Sequence, residues 1–153
     1  MRSLINVLKP CSNGNFHHLK KTFEYLLGRN DRAFLDFIYL RNCPDINRPY
    51  FLKFLLYCEY SVIQDLILFI ALLPTKKDLK YLRKERFTQL LEMQFINEII
   101  HLMDCHRPEI AKGASELLVR LIDEGNRVED AHIIFKSWMV NSKLIGKMAE
   151  VRF

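Results

Sequence analysis

Apolar residues recur at helical spacing from one end of the chain to the other. The clearest stripe follows Pro108, where aliphatic residues mark one face of a helix as far as Ile122, and Gly125 then indicates its end. One face of an α-helix repeats about every 3.6 residues, whereas a half-buried strand alternates every two. No segment alternates in that way, so we expect an all-α fold. The chain has only five Gly and five Pro in 153 residues, which argues against a turn-rich β-sandwich or barrel.

The remaining stripes predict eight or nine helices in one domain that covers residues 1–153. The predicted helices begin near Phe16, Asn30, Pro49, Ser61, Thr75, Phe95, Pro108, Ala131 and Ser142. We expect Gly28 to end the first helix in a left-handed conformation, Ser61 and Gln64 to form a capping box, and the fifth helix to break near Met93. The helix over 62–73 is apolar nearly all round, which predicts that it lies at the buried centre.

Short links between these helices favour antiparallel pairs, which recur about every 35 to 45 residues. That period is typical of HEAT and armadillo repeats, so we predict a short α-solenoid. Only the pattern of helices repeats, because the amino-acid sequences of the predicted repeats do not align with one another. An irregular helical bundle is therefore the alternative.

The cysteines and the apolar segments of the sequence predict the compartment in which the protein works. The cysteines, Cys11, Cys43, Cys58 and Cys105, form no CxxC pair and predict free thiols in a reducing compartment. No secretory signal opens the chain, and the apolar run over 62–73 is shorter than the roughly 20 residues that a membrane-spanning helix needs. We expect a soluble, intracellular protein in the cytoplasm, with the nucleus as the alternative.

Four segments resemble a known family in their order along the chain. They are LKKTFEYLLGRNDRAFLDFIYLR from Leu19, SVIQDLILFIALL from Ser61, LLEMQFINEIIHLM from Leu90 and GASELLVRLID from Gly113. This order is similar to part of the SAPS-domain family, the regulatory subunits associated with type 6 serine/threonine protein phosphatase. The resemblance implies a helical scaffold with a phosphatase catalytic subunit as its partner. Because SAPS domains are several times longer, it also implies a fragment or reduced version of a longer solenoid.

No catalytic or cofactor-binding motif accompanies these helices. The sequence has no GxSxG, HExxH, phosphate-binding loop or dinucleotide fingerprint, and we predict a non-enzymatic protein without a cofactor. His101 and Cys105 share a helix face, and Cys11, His17 and His18 would have to complete a zinc site. We favour the simpler interpretation, in which these residues are a helix end, a buried thiol and a solvated His pair.

Charge concentrates on one segment of a chain whose 23 Lys and Arg face 18 Asp and Glu, a net charge of +5. We name this segment the basic ridge, and its residues are Lys76, Lys77, Lys80, Arg83, Lys84 and Arg86. A solvated outer face is one explanation of such a run, and a surface that meets a partner is the other. The partner is then an acidic protein surface or, as the alternative function, RNA or a ribonucleoprotein particle.

Two further side chains have competing interpretations. Trp138 lies at core spacing with Ile134 and Phe135, so we expect core packing and not a base-stacking platform. Asp65 lies inside the most apolar helix, where a lone charge is costly. We expect an ion pair or a helix cap for Asp65, with a catalytic acid as the alternative.

Overall fold

The computed structural model describes residues 15–29, 32–72 and 80–136, with the backbone alone at Lys80 and Tyr81. This part of the chain is mostly helical, as predicted. Its seven α-helices are α1 (Phe16–Gly28), α2 (Arg32–Leu40), α3 (Tyr50–Lys53), α4 (Ser61–Leu72), α5 (Lys80–Glu92), α6 (Phe95–Met103) and α7 (Pro108–Gly125). Two 3-10 helices are η1 (Phe54–Tyr57), which continues α3, and η2 (Ala131–Phe135).

A small β-hairpin corrects the all-α prediction. Strands β1 (Asn42–Cys43) and β2 (Arg48–Pro49) pair antiparallel between α2 and α3. Two residues in each strand are too few to produce the alternation by which a strand is recognised in a sequence. The connecting turn ends at Asn47, whose φ of 49° is a left-handed conformation that Asn tolerates better than most residues.

The helix ends confirm some local predictions and overturn others. Gln94, with φ of 58°, separates α5 from α6, so the predicted break near Met93 is confirmed. The left-handed conformation predicted for Gly28 is wrong, because no described glycine has a positive φ. The predicted capping box is also wrong. The buried Gln64 amide instead donates to the carbonyl oxygen of Cys58 at 2.8 Å, since packing against the preceding turn takes this side chain away from the helix end.

Helix α4 is the centre of the domain, which confirms the prediction made from its apolar sequence. Eight of its twelve residues are buried. An aromatic cluster extends the core from there, and Phe23 packs edge-to-face on both Phe34 and Phe54. Tyr39 donates a hydrogen bond from its hydroxyl to the carbonyl oxygen of Ile70 at 3.0 Å, which joins α2 to α4.

Helices α1 and α4 lie side by side and run in the same direction. The ring of Phe16 packs on that of Tyr60 with 5.0 Å between centroids, and one turn further along Lys20 contacts Asp65. Helix α7 joins this row by packing on α4, where Arg120 contacts the same Asp65. The three helices begin at residues 16, 61 and 108, which are 45 and 47 residues apart.

The contact between α7 and the turn before α4 depends on Gly113. A Cβ atom at this position would lie 2.3 Å from the carbonyl oxygen of Cys58 and 2.8 Å from the Cα of Glu59. Two hydrogen bonds hold the same contact, from the Cys58 thiol to the Ile110 carbonyl and from the Gln64 amide to the Gly113 carbonyl. Only glycine allows the two backbones to approach this closely.

The described cysteines are free thiols. Cys43 and Cys58 are buried and Cys105 is partly exposed, while Cys11 lies outside the described residues. Burial raises the pKa of the Cys58 thiol to about 11. Among the described helices, none is long and apolar enough to cross a membrane.

Candidate functional site

A cleft of about 560 Å³ opens between α1, α4, α7 and the turn after α7. We name it the charged cleft. Apolar side chains form its floor and six ionisable side chains surround them. Its lining residues are Lys20, Glu24, Asp65, Leu68, Phe69, Leu72, Arg120, Glu124, Arg127 and Val128.

Asp65 is the centre of an ion-pair network that joins the three helices. Its Oδ1 accepts a hydrogen bond from the Arg120 guanidinium at 2.7 Å, and its Oδ2 accepts one from Lys20 Nζ at 3.0 Å. Glu24 lies 3.8 Å from the Lys20 ammonium, and Glu124 lies 3.6 Å from the Arg120 guanidinium. The ion pair predicted for Asp65 is therefore confirmed.

The two cations keep Asp65 ionised. Burial by itself would raise the pKa of the carboxyl, but the hydrogen bonds from Arg120 and Lys20 outweigh it and lower the pKa below its usual 3.8. Because its pKa is lowered, this carboxylate is a weak base near neutral pH, whereas an efficient general base has a pKa near the working pH. None of the described lining residues carries a hydroxyl, thiol or imidazole group. The arrangement suits binding and orientation of a ligand.

We predict that Asp65→Asn destabilises the fold by about 1 kcal/mol at pH 7. The loss is modest because the Asp65 side chain is 38% exposed and solvent screens its ion pairs. Since the folded pKa is lowered, the ion pairs stabilise the protein fully above the unfolded pKa of about 4, and the effect is lost as the pH falls through the folded pKa. Urea unfolding of both proteins at pH 7 and at progressively lower pH measures this difference.

Asp123→Asn is the matched control for that experiment. Asp123 is exposed on α7, and none of the ion pairs between described residues includes it. We expect this control to change the free energy of unfolding by a few tenths of a kcal/mol at every pH. An Asp65→Asn effect that stayed constant or grew on acidification would contradict the ion-pair assignment.

The structure places the residues of the basic ridge in different environments. Lys76 and Lys77 lie outside the described residues, and Lys80 is described by its backbone only. Lys84 is exposed, but Arg83 and Arg86 are buried, with 4% and 0% of their surface exposed. The predicted exposed ridge is wrong at these two positions because they share the buried face of α5 with Phe87 and Leu90. Partner binding by the other ridge residues stays a prediction.

Arg86 is held inside the domain by three neighbours. Its guanidinium donates to Asp36 Oδ1 and to Gln89 Oε1, each at 2.6 Å. The same group lies over the ring of Tyr39, 5.4 Å from its centroid. Arg86 thus links α5 to α2 and is a structural residue and not a surface charge.

The other predicted residues have separate outcomes. Ile134 is buried and Phe135 packs against the core, which confirms their core role, while Trp138 lies outside the described residues. Within the ranges that the structure describes, no three His, Cys, Asp or Glu side chains come together at a metal site, and this covers His101 and Cys105.

The sequence and the structure were compared with known proteins. No protein-family model, no curated protein and no solved structure matches the sequence. The resemblance to the SAPS-domain family therefore stays a prediction, and the charged cleft has to be interpreted from its own residues.

Sequence reasoning did not find the partners of Asp65. Arg120 belongs to the polar face of α7 and Lys20 to that of α1, and neither face looks unusual in the sequence. The signal was Asp65 itself, since a carboxylate inside an apolar helix requires a cation nearby. Which cation it finds depends on the packing of α1 and α7 against α4.

Proposed function

We propose that this protein is a non-enzymatic protein-interaction scaffold, built as a short α-solenoid, which binds a partner protein in the charged cleft. One observation carries the proposal. The charged cleft opens on the row of α1, α4 and α7, where an apolar floor lies among fixed charges.

The spacing of the three helices supports the solenoid. HEAT and armadillo repeats have a period of about 40 to 47 residues, and the starts of α1, α4 and α7 are 45 and 47 residues apart. Equivalent helices of successive repeats stack side by side in such proteins, and the surfaces along these rows are the usual binding surfaces. The charged cleft lies along α1, α4 and α7, where the proposed solenoid would have its row.

The lining of the charged cleft suits a protein ligand. Leu68, Phe69, Leu72 and Val128 offer apolar contact to a few inserted side chains, as the buried centre of an interface does. Most of the charges around them are paired within the protein, which fixes their positions and lets them orient the partner. Arg127 differs, because the ion pairs between described residues leave it out and its side chain is exposed.

Affinity purification from cells tests this proposal. We compare the wild-type chain with the double variant Phe69→Ala/Arg127→Glu, and we use Val119→Ala as the control because Val119 is exposed on α7 outside the charged cleft. We expect a protein partner that the double variant loses by about tenfold or more and the control retains. A serine/threonine phosphatase catalytic subunit is the partner that the family resemblance implies. A circular dichroism melt of each variant establishes that it is folded.

The same purification examines the RNA alternative. Nuclease treatment and a salt series are added, because binding to phosphates weakens steeply as the salt concentration rises. A partner that disappears with nuclease, depends on Lys84 and ignores the cleft variants would favour RNA and contradict the scaffold. The burial of Arg83 and Arg86 removes two of the six charges on which that alternative depends.

A further inference from the structure

A second concave surface lies at the C-terminal end of α2, away from the residues of the charged cleft. It is a groove of about 890 Å³, which we name the Leu40 groove. The Phe37 and Tyr50 rings stack in its wall with 4.7 Å between centroids. Leu40 lines it with 59% of its surface exposed, next to Ala33 and Phe37. Arg41 and Pro44 also belong to the lining.

The electrostatics of the Leu40 groove leave one positive charge available. Arg41 is exposed, and none of the ion pairs between described residues involves it. Asp36 is the carboxylate among the described lining residues. Its charge is already compensated, because Arg86 donates to it at 2.6 Å and the Arg32 guanidinium lies 3.9 Å away. A ligand therefore meets apolar surface beside a free guanidinium.

We propose that the Leu40 groove is a second docking surface, which binds a peptide segment of a partner protein that carries a large apolar side chain next to a carboxylate. The apolar side chain packs on Leu40 and on the accessible part of the Phe37 ring, which the buried Tyr50 ring supports from behind. The carboxylate accepts hydrogen bonds from Arg41, whose planar guanidinium fits a carboxylate in a bidentate way. This surface is independent of the charged cleft and adds a binding site to the proposed scaffold.

Arg86 helps to explain why the Leu40 groove would prefer an acidic ligand. It reaches Asp36 from the buried side of α2 and α5, where its own side chain has no exposed surface. Together with the more distant Arg32, this contact offsets the Asp36 charge that would otherwise repel an incoming acid in the Leu40 groove. Arg86 therefore acts on the Leu40 groove through the charge of Asp36, and Arg41 is the residue that contacts the ligand.

A random 12-residue peptide library displayed on phage, selected against the whole chain, tests the proposal. We expect the enriched peptides to share an Asp or Glu within a few positions of a Leu, Ile, Phe or Trp. For a synthetic peptide of the enriched sequence, we expect Leu40→Ala and Arg41→Glu each to weaken binding by about tenfold. Both side chains are exposed, so neither variant should unfold the protein. Selection against Arg41→Glu should enrich basic peptides in place of acidic ones.

Two controls separate this site from the rest of the surface. Leu56→Ala removes another exposed leucine, 41% exposed in η1, and Arg127→Glu reverses an arginine of the charged cleft. We expect both to leave peptide binding unchanged. Enriched peptides without acidic residues, binding that ignores both Leu40→Ala and Arg41→Glu, or no enrichment at all would overturn the proposal. Binding lost only with Arg127→Glu would overturn it as well and would support the charged cleft instead.

Discussion

Gly113→Ala is expected to destabilise the fold by about 2 to 3 kcal/mol. Alanine favours a helix by about 1 kcal/mol over glycine, so helix propensity alone predicts the opposite sign. The added methyl group would lie 2.3 Å from the Cys58 carbonyl oxygen, and that neighbour is backbone and cannot rotate away. Helix α7 would have to move off the turn before α4, which breaks the hydrogen bonds from Cys58 and Gln64. Urea unfolding followed by circular dichroism at 222 nm measures the loss.

Gly125→Ala is the matched control, since it lies on the same helix and is also buried. A Cβ atom there would lie 3.5 Å from the ring of Phe135, which is an ordinary van der Waals contact. We expect Gly125→Ala to leave stability unchanged or to raise it by up to about 1 kcal/mol. If Gly113→Ala were as stable as Gly125→Ala, the close approach of α7 to Cys58 would be wrong.

Arg86→Ala is expected to destabilise the fold by about 3 kcal/mol. The substitution removes the cation that pairs with Asp36 and the group that packs on the Tyr39 ring, and it leaves a cavity beside both. Solvent reaches Asp36 and reduces the cost of its lost partner, which places the effect at the lower end of the range for buried ion pairs. Thermal and urea unfolding of the purified variant test this value.

Lys84→Ala provides the comparison for Arg86→Ala. It removes a neighbouring positive charge of the basic ridge, but Lys84 is exposed on the opposite side of α5. We expect its effect on the free energy of unfolding to stay within about 0.5 kcal/mol. Equal effects of the two substitutions would show that Arg86 is a surface residue, as the sequence predicted for the basic ridge.

Periodicity predicted the helices well because burial of one face is a local property of a helix. The stripe from Ile110 to Ile122 predicted α7, with Pro108 and Gly125 marking its ends, and the apolar run around Leu66 identified the central helix. The β1–β2 hairpin could not be predicted, since two residues in each strand leave no period. The predicted backbone conformation of Gly28 and the predicted hydrogen bonds of Gln64 are wrong because both rested on local signals alone. Their local signals suited caps, but Gly28 ends the helix without a positive φ, and packing against the turn before α4 gives the Gln64 side chain other partners.

Only one part of the charged cleft could be predicted from the sequence, namely that Asp65 needs a cation. Asp65 signalled its need for a cation, but Lys20 and Arg120 come from helices 45 and 55 residues away along the chain. For the basic ridge, the sequence misled about exposure. Its charges predict an exposed surface, but helical geometry places Arg83 and Arg86 on the same buried face as Phe87. An arginine can occupy a buried position where a carboxylate and an aromatic ring receive it, and a sequence does not display those neighbours.

Site-specific photo-crosslinking in living cells tests the central claim most directly. A benzoylphenylalanine residue replaces Phe69 in the charged cleft in one chain, and Val119 outside it in another. The scaffold proposal predicts a covalent adduct with a discrete protein partner at position 69 and none at position 119. Adducts at position 119 alone, or none at position 69 while the partner still copurifies, would contradict binding in the charged cleft.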